Sequence, residues 1–244
     1  MKFNLIAPVY KSSENLNALC DSISEQSYEN WNLIISVDAC GQSWENALSL
    51  KEGLPPNTAK KVEVKFNPQR KFALGNILDC VNEFDCQSEK VIFGVVDGDD
   101  ELCNSETLSM IAKEYQNGSN LVWTTYCRDD EGECVSDTLP ADVDPYRYRW
   151  VSSHFRTFGS WIFKNINNQN FKDPEGDFFK RAYDQALMLP MLYYCNSNKL
   201  KTSFVPEVCY RYNHKNSSTP KSEHTNGIFE HQLSEFIRGR GYIE

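Results

Sequence analysis

Apolar positions in the first hundred residues fall into short unbroken runs that alternate with helically spaced repeats. Phe3 to Val9 is an apolar run closed by Pro8 and a polar cluster, the pattern of a buried strand. Ser12 or Ser13 caps a following helix, in which Leu16, Leu19, Cys20 and Ile23 recur at helical spacing. Leu33 to Val37 is a second buried strand and ends in Asp38. A polar stretch with a helix around 44–52 leads to Val62–Phe66, which alternates as a third strand. Residues 73–84 read as a helix, and Lys90 to Val96 as a fourth strand running into Asp97, Gly98, Asp99 and Asp100.

This β-α-β-α-β-α-β order predicts an α/β fold with a mostly parallel central sheet and helices on both faces. Ligands of such sheets gather outside the carboxyl ends of the strands. Asp38 and Asp97 both end strands, so they are expected on one side of the sheet. The second half is less regular. It predicts a helix over 104–116, a strand at Asn120–Thr125, polar loops over 128–149, an aromatic and basic stretch from Tyr146 to Trp161, a helix over 177–194, a strand over 203–210 and a polar tail. No repeat and no long linker divides the chain, so one domain over residues 1–244 is expected.

Composition narrows the function classes. An apolar content of 40% with 13% aromatics supports a packed core, and a formal charge of −9 argues against whole-surface attraction to nucleic acid or anionic membrane. The nine scattered cysteines, none spaced as a CxxC pair, predict reduced thiols and a cytoplasmic protein. No signal peptide or membrane span is expected, since the longest apolar stretches fall short of the roughly 20 residues a span requires.

Candidate chemistry centres on residues 97–101. Asp97, Asp99, Asp100 and Glu101 after a buried strand repel one another unless a cation sits among them, and hard oxygen ligands suit Mg²⁺, Mn²⁺ or Ca²⁺. An EF-hand is excluded, because Leu102 stands where glycine is required and Leu108 where the bidentate glutamate belongs. The plain alternative is an acidic turn that caps the next helix.

Pro8, Val9 and Tyr10 after the first strand, Asp38 after the second, Gly75 and Asn76 opening a helix, and Val96 to Asp100 together resemble a family 2 glycosyltransferase of the GT-A fold. The resemblance implies a nucleotide-sugar-binding half in residues 1–102 and an acceptor-binding, catalytic half in 103–244. It implies donor contacts from Pro8, Val9, Tyr10, Asp38, Gly75, Asn76, Asp97 and Gly98, with Arg70 as an added cation. Asp99 is the implied ligand of a divalent metal, Mn²⁺ or Mg²⁺, and His214 a second, weaker ligand. The implied donor is a nucleoside-diphosphate sugar, a UDP-sugar foremost, and the implied activity an inverting hexosyl- or pentosyltransferase.

The second half is similar to a bacterial and viral subset of that family, through His154-x-Arg156-Thr157-Phe158 and the aromatic-acid pair Tyr183–Asp184 on a helix that continues to Pro190 and Met191. By that resemblance Asp184 is the general base, and His154, Arg156 and Trp161 line the cleft between donor and acceptor. The subset usually has Trp where this chain has Tyr183. A saccharide or glycoconjugate hydroxyl is the default acceptor. A phage enzyme acting on hydroxymethylated bases of DNA is the alternative, for which Arg147, Arg149, Arg156, Lys164 and Lys172 among aromatics could supply a basic face. A non-catalytic sugar-nucleotide-binding module is a third reading, against which Asp97, Asp99 and Asp184 speak. A pyrophosphorylase is disfavoured, because only Lys11 stands where a basic, Gly-rich phosphate loop belongs.

Overall fold

The computed structural model describes residues 1–11, 15–84, 91–129, 134–213 and 227–244, without the side chains of 227–229. The four strands expected in the first half are β1 (Lys2–Val9), β2 (Trp31–Asp38), β3 (Val62–Asn67) and β4 (Val91–Val95). Between them lie α1 (Leu16–Ser24), α2 (Gly41–Gly53), the single turn α3 (Pro56–Ala59) and α4 (Phe72–Asn82). The second half supplies β5 (Glu101–Leu102), α5 (Thr107–Gln116), β6 (Leu121–Arg128), β7 (Arg156–Gly159), α6 (Ser160–Phe163), α7 (Tyr183–Ser197), β8 (Thr202–Tyr212) and α8 (Gly227–Arg240). The expected cap at Ser12 or Ser13 lies outside the described residues.

All eight strands join one sheet in the order β3-β2-β1-β4-β7-β6-β8-β5. β1 pairs in parallel with both β2 and β4, β2 with β3, and β6 with β8, while β7 runs antiparallel to β4 and β6, and β5 antiparallel to β8. The sheet is therefore mainly parallel, and the strands of both halves of the chain are continuous across the β4–β7 pair.

β1, β2 and β4 are apolar on both sides because helices cover both faces. On one face Phe3, Leu5, Ala7 and Val9 of β1 pack with Leu16, Leu19, Cys20 and Ile23 of α1 and with Leu108 and Ile111 of α5. On the other face Ile6, Phe93 and Val95 pack with Leu74, Ile77, Leu78 and Val81 of α4 and with Leu187, Met188 and Met191 of α7. The helix expected over 177–194 begins instead at Tyr183, after Ala182 adopts a left-handed backbone with φ of 50°. The tail expected to be polar and irregular holds α8, which Leu233 and the fully buried Ile237 fix to the second core.

Candidate active site

The carboxyl edge of the sheet carries the site. Val95, the last residue of β4, is paired with Arg156 at the start of β7. Since β7 runs antiparallel, Arg156 and the His154 before it arrive at the edge where β4 delivers Asp97. Gly94 permits this approach, because a Cβ there would stand 2.7 Å from the Phe155 ring and 2.9 Å from Leu5. Tyr210 of β8 ties the edge together: its hydroxyl accepts the Asp97 backbone N–H at 3.0 Å and donates to Asp100 Oδ2 at 2.7 Å. Asn213, just past β8, donates its N–H to Asp100 Oδ1 and its side-chain amide to the Asp99 carbonyl, both at 2.8 Å. Tyr183 enters from the first turn of α7 and donates its hydroxyl to Asp97 Oδ1.

Arg156 is wholly buried. Its Nη2 lies 2.8 Å from His154 Nδ1, 3.4 Å from the Tyr183 hydroxyl and 3.9 Å from Asp97 Oδ2. A guanidinium does not give up its proton, so His154 Nδ1 is the acceptor of that bond and the ring proton is assigned to Nε2. The imidazole stacks on Tyr210 at 4.8 Å and on Tyr212 at 5.2 Å, with Tyr126 edge-on at 5.4 Å. Burial, with the Arg156 charge beside it, holds His154 well below the ordinary histidine range, so it is neutral at pH 7.

Two carboxylates move the opposite way. Burial pushes Asp97 up to about 6, with Asp99 and Asp184 adding to the rise and Arg156 and the Tyr183 hydrogen bond opposing it. Burial, then the charges of Asp97 and Asp99, raises Asp100 well above the usual range, against the Tyr210 and Asn213 hydrogen bonds. Asp97 and Asp184 both feel the charge of buried Arg156, while Asp99 and Asp100 add further negative charge beside Asp97.

Among the described residues, Asp97, Asp100 and His154 offer ligand atoms that lie within 4.8 Å of one another. Their carboxylate oxygens fit a hard divalent ion. Tyr183 occupies Oδ1 of Asp97, whereas Oδ2 has no hydrogen bond among the described residues and meets Arg156 and His154 only at 3.9 Å. His154 Nδ1 already receives Arg156, so the imidazole joins a coordination shell only by surrendering that bond. Nε and Nη1 of Arg156 are buried without a hydrogen-bond partner among the described residues.

The family described as glycosyl transferase family 2 matches residues 5–184, about three quarters of the chain and every segment that builds this edge up to Asp184. The chain belongs to that family. The family 2 chain is also similar to solved structures of the GT-A fold. It superposes on Staphylococcus aureus TarS residues 1–349 with UDP-GlcNAc at a TM-score of 0.67 and 16% identity, covering 100% of this chain and 68% of that one. The complex of TarS 1–349 with UDP gives 0.62 and 17%, covering 87% and 60%. A mannosyltransferase from Pyrobaculum calidifontis with GDP-Man and Mn²⁺ gives 0.64 and 13%, covering 98% and 64%. The chain thus spans about two thirds of the length of these neighbours, and the likeness establishes the GT-A fold. No curated protein matches the sequence.

Within this family 2 domain the residues singled out from sequence divide into three groups. Asp97, His154, Arg156, Tyr183 and Asp184 converge at the edge. Asp184 is half-buried in the first turn of α7, close enough to bear on the charge of both Asp97 and Arg156. Asp99 lies in the same turn with its carbonyl held by Asn213, and Gly98 donates its N–H to the Pro8 carbonyl at 3.3 Å.

A second group surrounds Asp38. Its Oδ1 accepts the N–H of Lys71 at 2.7 Å, its Oδ2 the N–H of Phe72 at 2.9 Å, and Arg70 ion-pairs with it. The Arg70 guanidinium in turn sits over the Tyr10 ring at 3.3 Å and the Phe72 ring at 4.5 Å. Asn76, fully buried, accepts from Ser36 at 2.9 Å and from Asn67 and donates to the Phe72 carbonyl, so it links β2, β3 and α4. Gly75 lets α4 pass Lys71, whose Cβ would be 3.0 Å from an added Cβ. Val9 is buried in the core beneath.

The third group is separate. Trp161 follows Gly159, which pairs with Ile92 at the opposite end of β4, and its indole donates to Asn120 Oδ1 at 2.8 Å and packs edge-on with Tyr115. The antiparallel run of β7 carries it away from the edge that holds Arg156. His214 lies outside the described residues. Tyr210 and Asn213 were not assigned roles from sequence. The alternation of Tyr210, Arg211 and Tyr212 along a strand, with two aromatics on one face, was the available signal.

Proposed function

We propose that this chain transfers a sugar, with inversion, from a nucleoside-diphosphate sugar to an acceptor hydroxyl, assisted by a divalent metal. The observation that carries the reading is the meeting of Asp97, Asp100, Arg156 and Tyr183 with Asp184 at one strand edge of a family 2 domain. In this reading the 1–102 half holds the donor. Tyr10 and the Asp38–Arg70 pair face the nucleoside, and Asp97 faces the ribose and diphosphate. Asp99 or Asp100 and Asp97 hold Mn²⁺ or Mg²⁺, which supplies Lewis-acid stabilisation of the departing diphosphate. A UDP-sugar is the first candidate, supported by neighbours of this fold solved with UDP and UDP-GlcNAc; GDP-mannose, bound by the Pyrobaculum calidifontis enzyme, is the second.

Asp184 acts as the base. The acceptor oxygen attacks the anomeric carbon, Asp184 takes its proton, and the bond from that carbon to the diphosphate oxygen breaks, releasing the nucleoside diphosphate. The cation of Arg156 next to Asp97 keeps the cluster partly neutralised before the donor arrives. A saccharide or glycoconjugate is the acceptor class we favour. Of the basic residues that could form a DNA-facing surface, Arg156 is buried at the site and Arg149 pairs with Asp137, while Arg147 and Lys164 are exposed.

The test is a thermal-shift panel of UDP-, GDP- and TDP-sugars with and without Mn²⁺, followed by release of nucleoside diphosphate. A ligand at a hundred times its Kd stabilises by about 2.7 kcal/mol, an easily measured shift. Asp99→Ala should remove the metal-dependent part of donor binding. Asp184→Asn should keep donor binding and lose turnover, and near wild-type turnover of that variant would refute the base assignment. No shift with any sugar nucleotide would refute the proposed function.

A further inference from the structure

Tyr183 stands where two halves of the site meet, and its chemistry is fully committed. The hydroxyl gives its only proton to Asp97 Oδ1 and lies 3.4 Å from Arg156 Nη2, while the ring face takes the Arg156 guanidinium at 5.1 Å. Burial pushes the phenol well above its ordinary range, so it keeps its proton and is no acid or base at neutral pH. The residue before it, Ala182, is held at φ of 50°, a left-handed conformation that costs a non-glycine residue about 1 kcal/mol. α7 thus enters the site through a strained residue and is anchored there by Tyr183, one position before Asp184.

We propose that Tyr183 is a positioning residue that acts through Asp184. By gripping Asp97 and Arg156 it fixes the spacing between the carboxylate that meets the donor and the one that meets the acceptor, and it leaves Asp97 Oδ2 facing the ligand. The inference rests on the proposed transfer reaction. Asp97 and Arg156 come from the β4–β7 edge and Asp184 from α7, and in this site the phenol is the group that contacts the edge directly from the first turn of that helix. A chain with phenylalanine here would keep the ring on Arg156 and lose the link to Asp97.

The experiment is a double-mutant cycle on the full chain with Tyr183→Phe and Asp184→Asn, read as nucleoside diphosphate released to water from UDP-GlcNAc, UDP-glucose or GDP-mannose, whichever the wild type hydrolyses. Donor Kd is measured alongside with Mn²⁺ present. Tyr183→Phe should lower kcat at least tenfold with donor Kd within threefold of wild type. On the Asp184→Asn background the same substitution should change the residual rate less than twofold, since residues that act as a unit are not additive. Donor Kd rising beyond threefold as kcat falls, or the full tenfold loss persisting without Asp184, would overturn the positioning role, as would an unchanged kcat. If Tyr183→Phe does not fold, Tyr183→Met, which fills the space without any donor to Asp97, is put through the same cycle with the same criteria. A wild type that neither binds nor hydrolyses any of the three donors would refute the transferase reading itself, an outcome distinct from every result of the cycle.

Discussion

Replacing Tyr210 by phenylalanine removes one oxygen atom from a fully buried side chain and takes one hydrogen bond from each of two partners. Asp100 Oδ2 loses a 2.7 Å donor, and the Asp97 N–H loses a 3.0 Å acceptor. A hydrogen bond to a charged group contributes about 1.5–3 kcal/mol, and a buried donor left unmade costs about 1–3 kcal/mol. Asp100 is 1% exposed, so its loss counts in full; the Asp97 turn is partly exposed, and water can recover some of the second. The expected total is about 2–4 kcal/mol. For a chain of this size that corresponds to a fall of roughly 5–15 °C in Tm. The assay is urea unfolding followed by circular dichroism in EDTA, so that no metal contributes to the difference. An unchanged m-value with a lower midpoint would assign the loss to the folded state. A loss below about 0.5 kcal/mol would mean that Tyr210 does not bridge the acidic turn, and the account of how that turn is held would fall with it.

Three further outcomes follow from the same geometry. Asp38→Asn should destabilise the nucleotide-free protein by about 2 kcal/mol in the same urea assay, because one amide cannot accept from Lys71, Phe72 and Arg70 together; an unchanged midpoint would leave Asp38 as a ligand contact alone. Gly94→Val should cost about 1–3 kcal/mol or more by overpacking, since its side chain must displace the ring of Phe155 and Leu5, and a neutral effect would show that the 154–156 segment is not seated on β4. In alkylation by iodoacetamide mapped by mass spectrometry, Cys40 should react at lower pH than an ordinary thiol, because Ser43 donates to its sulfur at 3.3 Å and lowers its pKa. Burial pushes Cys20 and Cys195 up to about 12 and Cys80 to about 11, so these should stay unlabelled at pH 8 until urea unfolds the chain; early labelling of any of the three would contradict their core placement.

The first hundred residues declared their structure because each element there obeys a single local rule. β1, β2 and β4 are apolar on both faces, and α1 and α4 show clean helical stripes. The position of Asp97 followed from parallel topology alone. β7 escaped notice because its four residues begin with a buried arginine, which no strand pattern predicts, and are followed by the short helix α6. Its direction is a tertiary fact: an antiparallel strand next to β4 brings Arg156 in and sends Trp161 out, and nothing local in the 154–161 segment distinguishes the two. α8 was hidden because its apolar residues, Ile228, Phe229, Leu233, Phe236 and Ile237, are interrupted by charged and polar ones and flanked by glycines. Tyr210 and Asn213 act on the acidic turn from more than a hundred residues away, a separation over which spacing carries no information.

Asp38 and Asp97 look alike in the sequence, each an aspartate at the carboxyl end of a buried strand, and the donors around them separate their roles. Both oxygens of Asp38 accept backbone N–H groups from the turn that opens α4, with Arg70 added, so its charge is spent on shaping that turn. Phe72, at φ of 59°, is held in that turn in a conformation unfavourable for an aromatic residue, and Asp38 supplies the compensating bond. Asp97 is held by one hydroxyl on Oδ1 and faces an arginine and a histidine at 3.9 Å on Oδ2, too far for a hydrogen bond to either. A carboxylate that is half-buried, raised to about 6 and yet left with an unfilled oxygen is poorly suited to a structural post and well suited to a ligand. The same comparison separates Asp100, whose two oxygens are engaged by Tyr210 and Asn213, from Asp97 beside it. Within the acidic turn, then, Asp100 is hydrogen-bonded on both oxygens and Asp97 on one, with Tyr210 joining them through a single hydroxyl.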